Sequence, residues 1–228
     1  EFTRQQAISI PAAKCRVLAA PPTQTRGNRT PLMPFTPDDT RILRDLAKQI
    51  ADIAALPVHP EKLDMWTRLN KLQKTRPLIS IFQIPWEEMN VDDELTLRTE
   101  DPWARGLEWG MRETLYKWNH VRDDLLVAGV VYCPHAISDT GFGIAEESDV
   151  NTESGLASRS FHHQIETLAD VEKIKLPEIS HDEAETERRF EALSELFDGI
   201  LPVVKRGVTG YWFAPWDLLI TWYGVEKA

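Results

Sequence analysis

Two adjacent carboxylates, Glu87 and Glu88, stand where they could take part in acid–base chemistry. They follow the apolar run 77–85, whose β-branched residues and bounding prolines predict a buried strand. A carboxylate at a strand end can serve as a general acid, a general base or a metal ligand. Trp86 separates the run from the acids and could exclude water from Glu87. Acidic pairs also occur at helix starts, where they favour the positive end of the helix dipole, so both interpretations stay open.

The next apolar run, 125–133, predicts a second strand and leads into the sequence Cys133-x-His135. This spacing could supply half of a metal site. A cysteine in an apolar run is more commonly a buried structural residue. We therefore predict His135 as a catalytic candidate and predict no metal ligands in this chain. The histidines near predicted helix ends, His59, His120 and His181, are predicted to be structural.

Residues 200–205 predict a third strand, and a segment rich in aromatic residues follows it. In β/α barrels, substrates bind on the loops after the carboxyl ends of the strands. We therefore predict one site built from the residues that follow all three strands. Its predicted catalytic residues are Glu87, Glu88, Asp217 and His135, and its predicted substrate-binding residues are Trp86, Tyr132, Arg206, Trp212 and Trp216. The aromatic side chains could stack on a sugar or a flat macrocycle, or they could pack in a core.

Helical patterns separate the predicted strands. The predicted helices are 37–56, 60–74, 102–120, 168–174, 181–198 and 217–223, and residues 134–159 are predicted to be loop. Apolar strands that alternate with amphipathic helices predict an α/β fold with parallel β/α units. A complete (β/α)8 barrel of the TIM type needs about 250 residues. Three strands in a shorter chain therefore predict a partial barrel.

The first 35 residues differ from the rest of the chain. They are rich in proline and in basic residues, and they show neither a helical nor an alternating period. We predict a disordered or irregular leader over residues 1–35, either non-native or flexible. Residues 36–228 are predicted to form one incomplete β/α barrel domain.

The overall charge limits the classes of partner. The 228 residues include 26 basic and 36 acidic side chains, for a net charge of −10. Clustered lysine and arginine provide most of the affinity for phosphates, so we expect neither nucleic acid nor an anionic membrane as a partner. No apolar run approaches the about 20 residues that a membrane-spanning helix needs. The two cysteines fit a reducing compartment, and we expect a cytoplasmic protein.

Several of these segments together are similar to a known family. The segment 76–95, which includes Ile-Pro-Trp-Glu-Glu-Met-Asn at 84–90, resembles the amino-terminal half of uroporphyrinogen-decarboxylase-like proteins, as do 101–103, 117–118, 141–143 and 210–217. The resemblance covers about residues 38–226. It implies the (β/α)8 barrel of uroporphyrinogen decarboxylase, cobalamin-independent methionine synthase and zinc-dependent corrinoid methyltransferases.

This chain departs from the pattern of the family in two ways. In the methyltransferase branch the zinc ligands, a His-x-Cys and a later Cys, lie in the carboxyl-terminal half, which we expect this chain not to include. The decarboxylase branch binds substrate carboxylates with an arginine-rich amino-terminal segment that has no counterpart here. The resemblance therefore implies the fold more strongly than either activity.

The function is open between three classes of protein. The resemblance implies an enzyme fragment whose parent acts on a small molecule in methyl transfer or decarboxylation, with no cofactor in this fragment and zinc possible in the full-length parent. Carboxylates beside aromatic platforms also suit a glycoside hydrolase that is active as an oligomer. An incomplete barrel exposes strand edges, so the third class is a non-catalytic half-barrel that self-associates. We expect a homo-oligomer.

Overall fold

The computed structural model of the protein describes residues 35–151, 158–210 and 214–226. These residues form two compact units. The first contains residues 35–133 and 187–206, and the second contains the described residues of 134–186 and those from 207 onward. The predicted leader lies outside the described residues except for Phe35, which is buried in the core of the first unit. The fold mixes helices and strands, as the α/β prediction requires.

Four helices precede the first strand. They are α1 (Pro37–Ala54), α2 (Val58–Asn70), the single-turn α3 (Trp86–Met89) and α4 (Pro102–Tyr116), and a π-helical turn, Lys117–Val121, continues α4. α1 begins where the sequence predicts, because the Thr36 hydroxyl accepts a hydrogen bond from the Asp39 N–H at 3.0 Å. α4 begins in the same way, with the Asp101 carboxylate accepting from the N–H groups of Trp103 and Ala104.

The core of the first unit is built from α1, α4 and the helix α5 (Glu183–Leu196). Its most buried side chains are Leu43, Leu46, Ala47, Ala104, Met111, Leu193, Leu196 and Phe197. Two strands, β1 (Val131–Pro134) and β6 (Val203–Arg206), pair in a parallel sheet, and Val131 and Cys133 face this core. The sequence 125–133 therefore contains a strand only at its end.

The predicted buried strand 77–85 is wrong. The segment is extended, but it pairs with no strand among the described residues, and Ile79 is 61% exposed. Residues 117–124 take the place of a strand partner, mostly through side chains, and the Asp124 N–H donates to the Ile79 carbonyl at 2.8 Å. The Asp124 carboxylate accepts from the Ile79 N–H at 2.8 Å, the Asp123 carboxylate accepts from the Ile81 N–H at 3.1 Å, and Lys117 Nζ donates to the Ile81 carbonyl at 2.7 Å.

The second unit contains four short strands in antiparallel pairs. They are β2 (Ala136–Asp139) with β5 (Ile179–Asp182) and β3 (Ser148–Asn151) with β4 (Ser158–Phe161), and the unit also holds a 3-10 helix, Leu168–Lys173, and the helix α6 (Pro215–Tyr223). The loop predicted over 134–159 is therefore wrong. These strands are mostly polar and exposed, so they lack the apolar pattern that predicts strands.

The sheets are small. Within the described ranges the strands form three two-stranded sheets and do not close into a barrel. None of the helices in those ranges is both long enough and apolar enough to cross a membrane.

Candidate functional site

The parallel pair β1–β6 has one covered face and one open face. Side chains alternate between the two faces of a strand, so Val131 and Cys133 point into the core while Tyr132 points away from it. Tyr132 is 44% exposed, and Arg206 at the end of β6 is exposed as well. In a β/α barrel the helices cover the outer face of the strands, and substrate sites lie at the carboxyl ends of the strands.

Tyr132 and Arg206, both predicted to bind substrate, lie in direct contact. The guanidinium carbon of Arg206 is 4.2 Å from the centroid of the Tyr132 ring, which is a cation–π contact. The neighbouring Lys205 is engaged elsewhere, because its Nζ forms an ion pair with Glu187 and lies 4.7 Å from the Phe190 ring. Arg206 forms no ion pair with any described residue, so its N–H groups can bind an anion.

A second candidate surface surrounds Trp86 in the same unit. The Trp86 ring packs edge-on against Trp109 at 6.2 Å and Tyr116 at 5.9 Å, and Tyr116 packs against His120 at 4.4 Å between ring centroids. His120 Nε2 lies 3.0 Å from both carboxylate oxygens of Glu94. We call this set of five side chains the Trp86 cluster. Except for Trp86, its members were not predicted to bind substrate, although Trp109, Tyr116 and His120 recur at helical spacing.

Glu87 and Glu88 do not stand at a strand end. They lie in the single turn of α3 and are exposed. The prediction of a strand before them is wrong because carboxylates, rather than a neighbouring strand, order the preceding segment. Both acids belong to the first turn of a helix, where the helix dipole favours them, and both follow Trp86 in sequence.

Two buried carboxylates fix the backbone around these surfaces. Glu108, which has no exposed surface, accepts from the N–H groups of Arg98 and Thr99, from the Thr99 hydroxyl at 2.7 Å and from Arg112 Nε at 2.7 Å. Burial raises the pKa of Glu108, but these donors outweigh burial and hold the pKa below its usual range. Arg112 also donates to the Glu94 carbonyl, so Glu108 helps to position the Trp86 cluster.

Asp124 fixes the extended segment before Trp86. Its carboxylate accepts from both terminal nitrogens of Arg76, at 2.8 and 2.5 Å, as well as from the Ile79 N–H. The bonds from Arg76 lower the pKa of Asp124 from 3.8 to about 2, in spite of its burial. Asp124 is therefore ionised at neutral pH and orders the residues that lead to α3.

The remaining predicted site residues lie in the second unit. The His135 ring stacks on the His181 ring, with centroids 4.8 Å apart and an interplanar angle of 11°. Asp217 and Trp216 lie in the first turn of α6 and are exposed. Trp212 lies outside the described residues. The residues predicted to form a single site thus belong to two different units. The first unit contains Trp86, Glu87, Glu88, Tyr132 and Arg206, and the second contains His135, Trp216 and Asp217.

The described residues offer no complete ligand set for the zinc ion of the methyltransferase branch. Across residues 35–151, 158–210 and 214–226, no three His, Cys, Asp or Glu side chains gather in a way that could hold a metal ion. Cys133 is buried, and burial raises the pKa of its thiol, whereas zinc is bound by the thiolate. The described residues therefore do not fit that group.

The described residues of the first unit thus carry two candidate surfaces. One is the cationic pair of Tyr132 and Arg206 on the open face of β1–β6, and the other is the Trp86 cluster with the acids of α3. Comparisons of the chain with protein-family models, with curated proteins and with solved structures found no match.

Proposed function

We propose that this chain is part of a uroporphyrinogen-decarboxylase-like β/α enzyme, whose parent acts in decarboxylation or methyl transfer, and that Arg206 binds a carboxylate of its substrate. The observation that carries the proposal is the contact of Arg206 with Tyr132 at the end of a parallel strand pair. In a closed barrel, the face of β1–β6 that carries these two side chains would line the interior. Arg206 also ends β6, and barrel enzymes bind their substrates at the carboxyl ends of the strands.

The chemistry of the pair suits a carboxylate. A guanidinium offers paired N–H groups that match the two oxygens of a carboxylate, and such charge-assisted bonds are stronger than neutral ones. The Tyr132 ring supports the guanidinium from one side and leaves its N–H edges available. In a chain of net charge −10, a cation that forms no ion pair with any described residue offers a local site for an anion.

Arg206→Gln is expected to weaken the binding of uroporphyrin by about ten- to a hundredfold, because one charge-assisted hydrogen bond contributes about 1.5–3 kcal/mol. Arg206→Lys should bind with intermediate affinity, since an ammonium cannot form the paired contact. Quenching of tryptophan fluorescence in the full chain measures the dissociation constant.

Arg41→Gln is the matched control, because Arg41 is an exposed arginine on α1 that pairs with Asp38. It should bind uroporphyrin as the unsubstituted chain does. Uroporphyrin methyl ester, which lacks the charges, should bind poorly to every variant. Equal affinities of the Arg206→Gln variant and the unsubstituted chain would refute the carboxylate site. Decarboxylation of uroporphyrinogen and methyl transfer from methylcobalamin, both assayed with the full chain, test the enzyme class separately.

A glycoside hydrolase is the second candidate, and the Trp86 cluster favours it. Aromatic faces bind sugar rings, and exposed carboxylates follow Trp86 directly. In such an enzyme one carboxylic acid protonates the glycosidic oxygen while a second carboxylate attacks the sugar or activates water. Carboxyl groups about 5–5.5 Å apart retain the anomeric configuration, and groups about 6.5–9.5 Å apart invert it.

If the chain is a glycoside hydrolase, Glu87→Gln or Glu88→Gln should lower kcat on nitrophenyl glycosides by about 10²- to 10⁴-fold. Glu61→Gln, which removes an exposed acid in the first turn of α2, serves as the control and should leave kcat unchanged. Light scattering on the same samples reports whether the expected homo-oligomer forms. No hydrolysis by the unsubstituted chain, or equal rates in all three variants, would exclude this candidate.

A further inference from the structure

We infer that residues 78–82 form an edge strand through which this chain pairs with a second copy of itself, antiparallel and in register about Ser80. The segment is extended and lies beside residues 117–124. One of its edges is occupied, because the backbone groups of Ile79 and Ile81 bond to residues 117–124. The inference does not depend on the proposed carboxylate site.

The other edge of the segment is open. In an extended chain the N–H and C=O groups of successive residues point to opposite edges, so those of Leu78, Ser80 and Phe82 point away from residues 117–124. None of these three residues makes a backbone hydrogen bond within the part of the chain that the structure describes. Proteins often protect an edge strand with a charge or a proline, but these three positions carry neither. The open edge is therefore a template for another strand.

The sequence of the segment is complementary to itself. Leu-Ile-Ser-Ile-Phe at 78–82 places large apolar residues at equal distances on both sides of Ser80. With Ser80 opposite Ser80 of the second copy, Leu78 lies opposite Phe82 and Ile79 lies opposite Ile81, and each outward N–H meets a carbonyl. Ile79 is 61% exposed and Ile81 is 40% exposed, so their pairing removes apolar surface from water.

The hydroxyl group of Ser80 also lacks a partner in the single chain. Its Oγ atom is buried and forms no hydrogen bond with a described residue. Side chains directly opposite each other in an antiparallel pair lie on the same face, so the two Ser80 hydroxyls would lie side by side at the two-fold axis. One hydroxyl can then donate to the other. A second copy thus offers a partner to a polar group that otherwise has none among the described residues.

The charges at the two ends of the segment select a second copy as the partner. Lys71 and Lys74 precede the segment and Glu87 and Glu88 follow it, and all four are exposed. An antiparallel pair brings the basic end of each copy toward the acidic end of the other, whereas a parallel pair would bring like charges together. A strand pair of five residues is smaller than a standard interface, so we expect a reversible dimer that dissociates on dilution.

Sedimentation velocity of the full chain over a dilution series measures the dimer, and two double variants test its register. Ile79→Lys with Ile81→Lys places lysine opposite lysine and should raise the dissociation constant at least about tenfold. Ile79→Lys with Ile81→Glu places lysine opposite glutamate in the antiparallel register, so it should bind at least about tenfold more tightly than the first variant. Both side chains are exposed, and circular dichroism checks that each variant is folded.

Leu168→Lys with Val171→Lys is the matched control, because it adds the same charges at two exposed apolar residues of the other unit. It should dimerise as the unsubstituted chain does. A monomeric unsubstituted chain would overturn the inference, as would a dimer that the first double variant leaves intact. Equal dissociation constants for the two charged variants would overturn the antiparallel register. Hydrogen exchange of the Ser80 and Phe82 amides must also slow as the concentration of the unsubstituted chain rises.

Discussion

Replacing Glu108 with glutamine is expected to lower the free energy of unfolding by about 3–5 kcal/mol, the usual cost of breaking a buried ion pair. The substitution keeps the shape of the side chain but removes its charge and half of its acceptor capacity. An amide N–H₂ would then face the N–H groups of Arg98 and Thr99, and the guanidinium of Arg112 would lose the charge of its buried partner. Urea unfolding followed by tryptophan fluorescence measures the loss.

Glu195→Gln is the control for this measurement, because Glu195 is an exposed acid on α5. Its effect should stay within about 0.5 kcal/mol, as for most exposed positions. The Glu108 variant should also disturb the Trp86 cluster, since Arg112 contacts the Glu94 carbonyl. A loss below about 1 kcal/mol in the Glu108 variant would mean that the buried network does not hold this part of the unit together.

Asp124→Asn is expected to destabilise the first unit at neutral pH and to remove part of its sensitivity to acid. The pKa of Asp124 falls from 3.8 to about 2 on folding, which corresponds to about 2 kcal/mol of stabilisation. The actual value is lower, because Arg76 is half exposed and water screens the pair. A folded-state pKa below the unfolded one stabilises the protein above pH 3.8, and this contribution is lost as the pH falls through about 2.

The difference in unfolding free energy between the unsubstituted chain and Asp124→Asn should therefore be largest near neutrality and shrink between pH 4 and pH 2. Asp52→Asn is the matched control, because Asp52 is an exposed aspartate on α1. It should give a small difference that varies little over the same range. A difference for Asp124→Asn that stayed constant from pH 7 to pH 2 would show that its ionisation is not coupled to folding.

The helices were predictable from sequence because their signals are local. Thr36 with Pro37 marks the start of α1, Asp101 with Pro102 marks the start of α4, and apolar residues recur at helical spacing between the ends. The short strands of the second unit were not predictable. Polar, exposed residues form them, and their pairing depends on partners distant in the chain.

The contacts within the candidate surfaces were not predictable, and of the Trp86 cluster only Trp86 itself was among the predicted site residues. The sequence singled out both Tyr132 and Arg206, yet their contact depends on the pairing of β1 with β6, which no local pattern encodes. The extended run 77–85 shows the same limit. Its composition predicts a buried strand, but the run is extended and mostly exposed, and the carboxylates of Asp123 and Asp124 accept from its N–H groups in place of a strand. His181, which sequence suggested to be structural, stacks on His135 through the same kind of distant pairing.

The substitution of side chains for a strand partner has a consequence for solubility. The segment from Leu78 to Ile84 has no charged residue and a high β-propensity, which is the composition of an aggregation-prone window. Pro77 and Pro85 bound it, and the carboxylates of Asp123 and Asp124 occupy N–H groups that another molecule could otherwise bind. These four residues act together as gatekeepers. Acid that protonates Asp124 would free the Ile79 N–H, so association between chains then competes with simple unfolding.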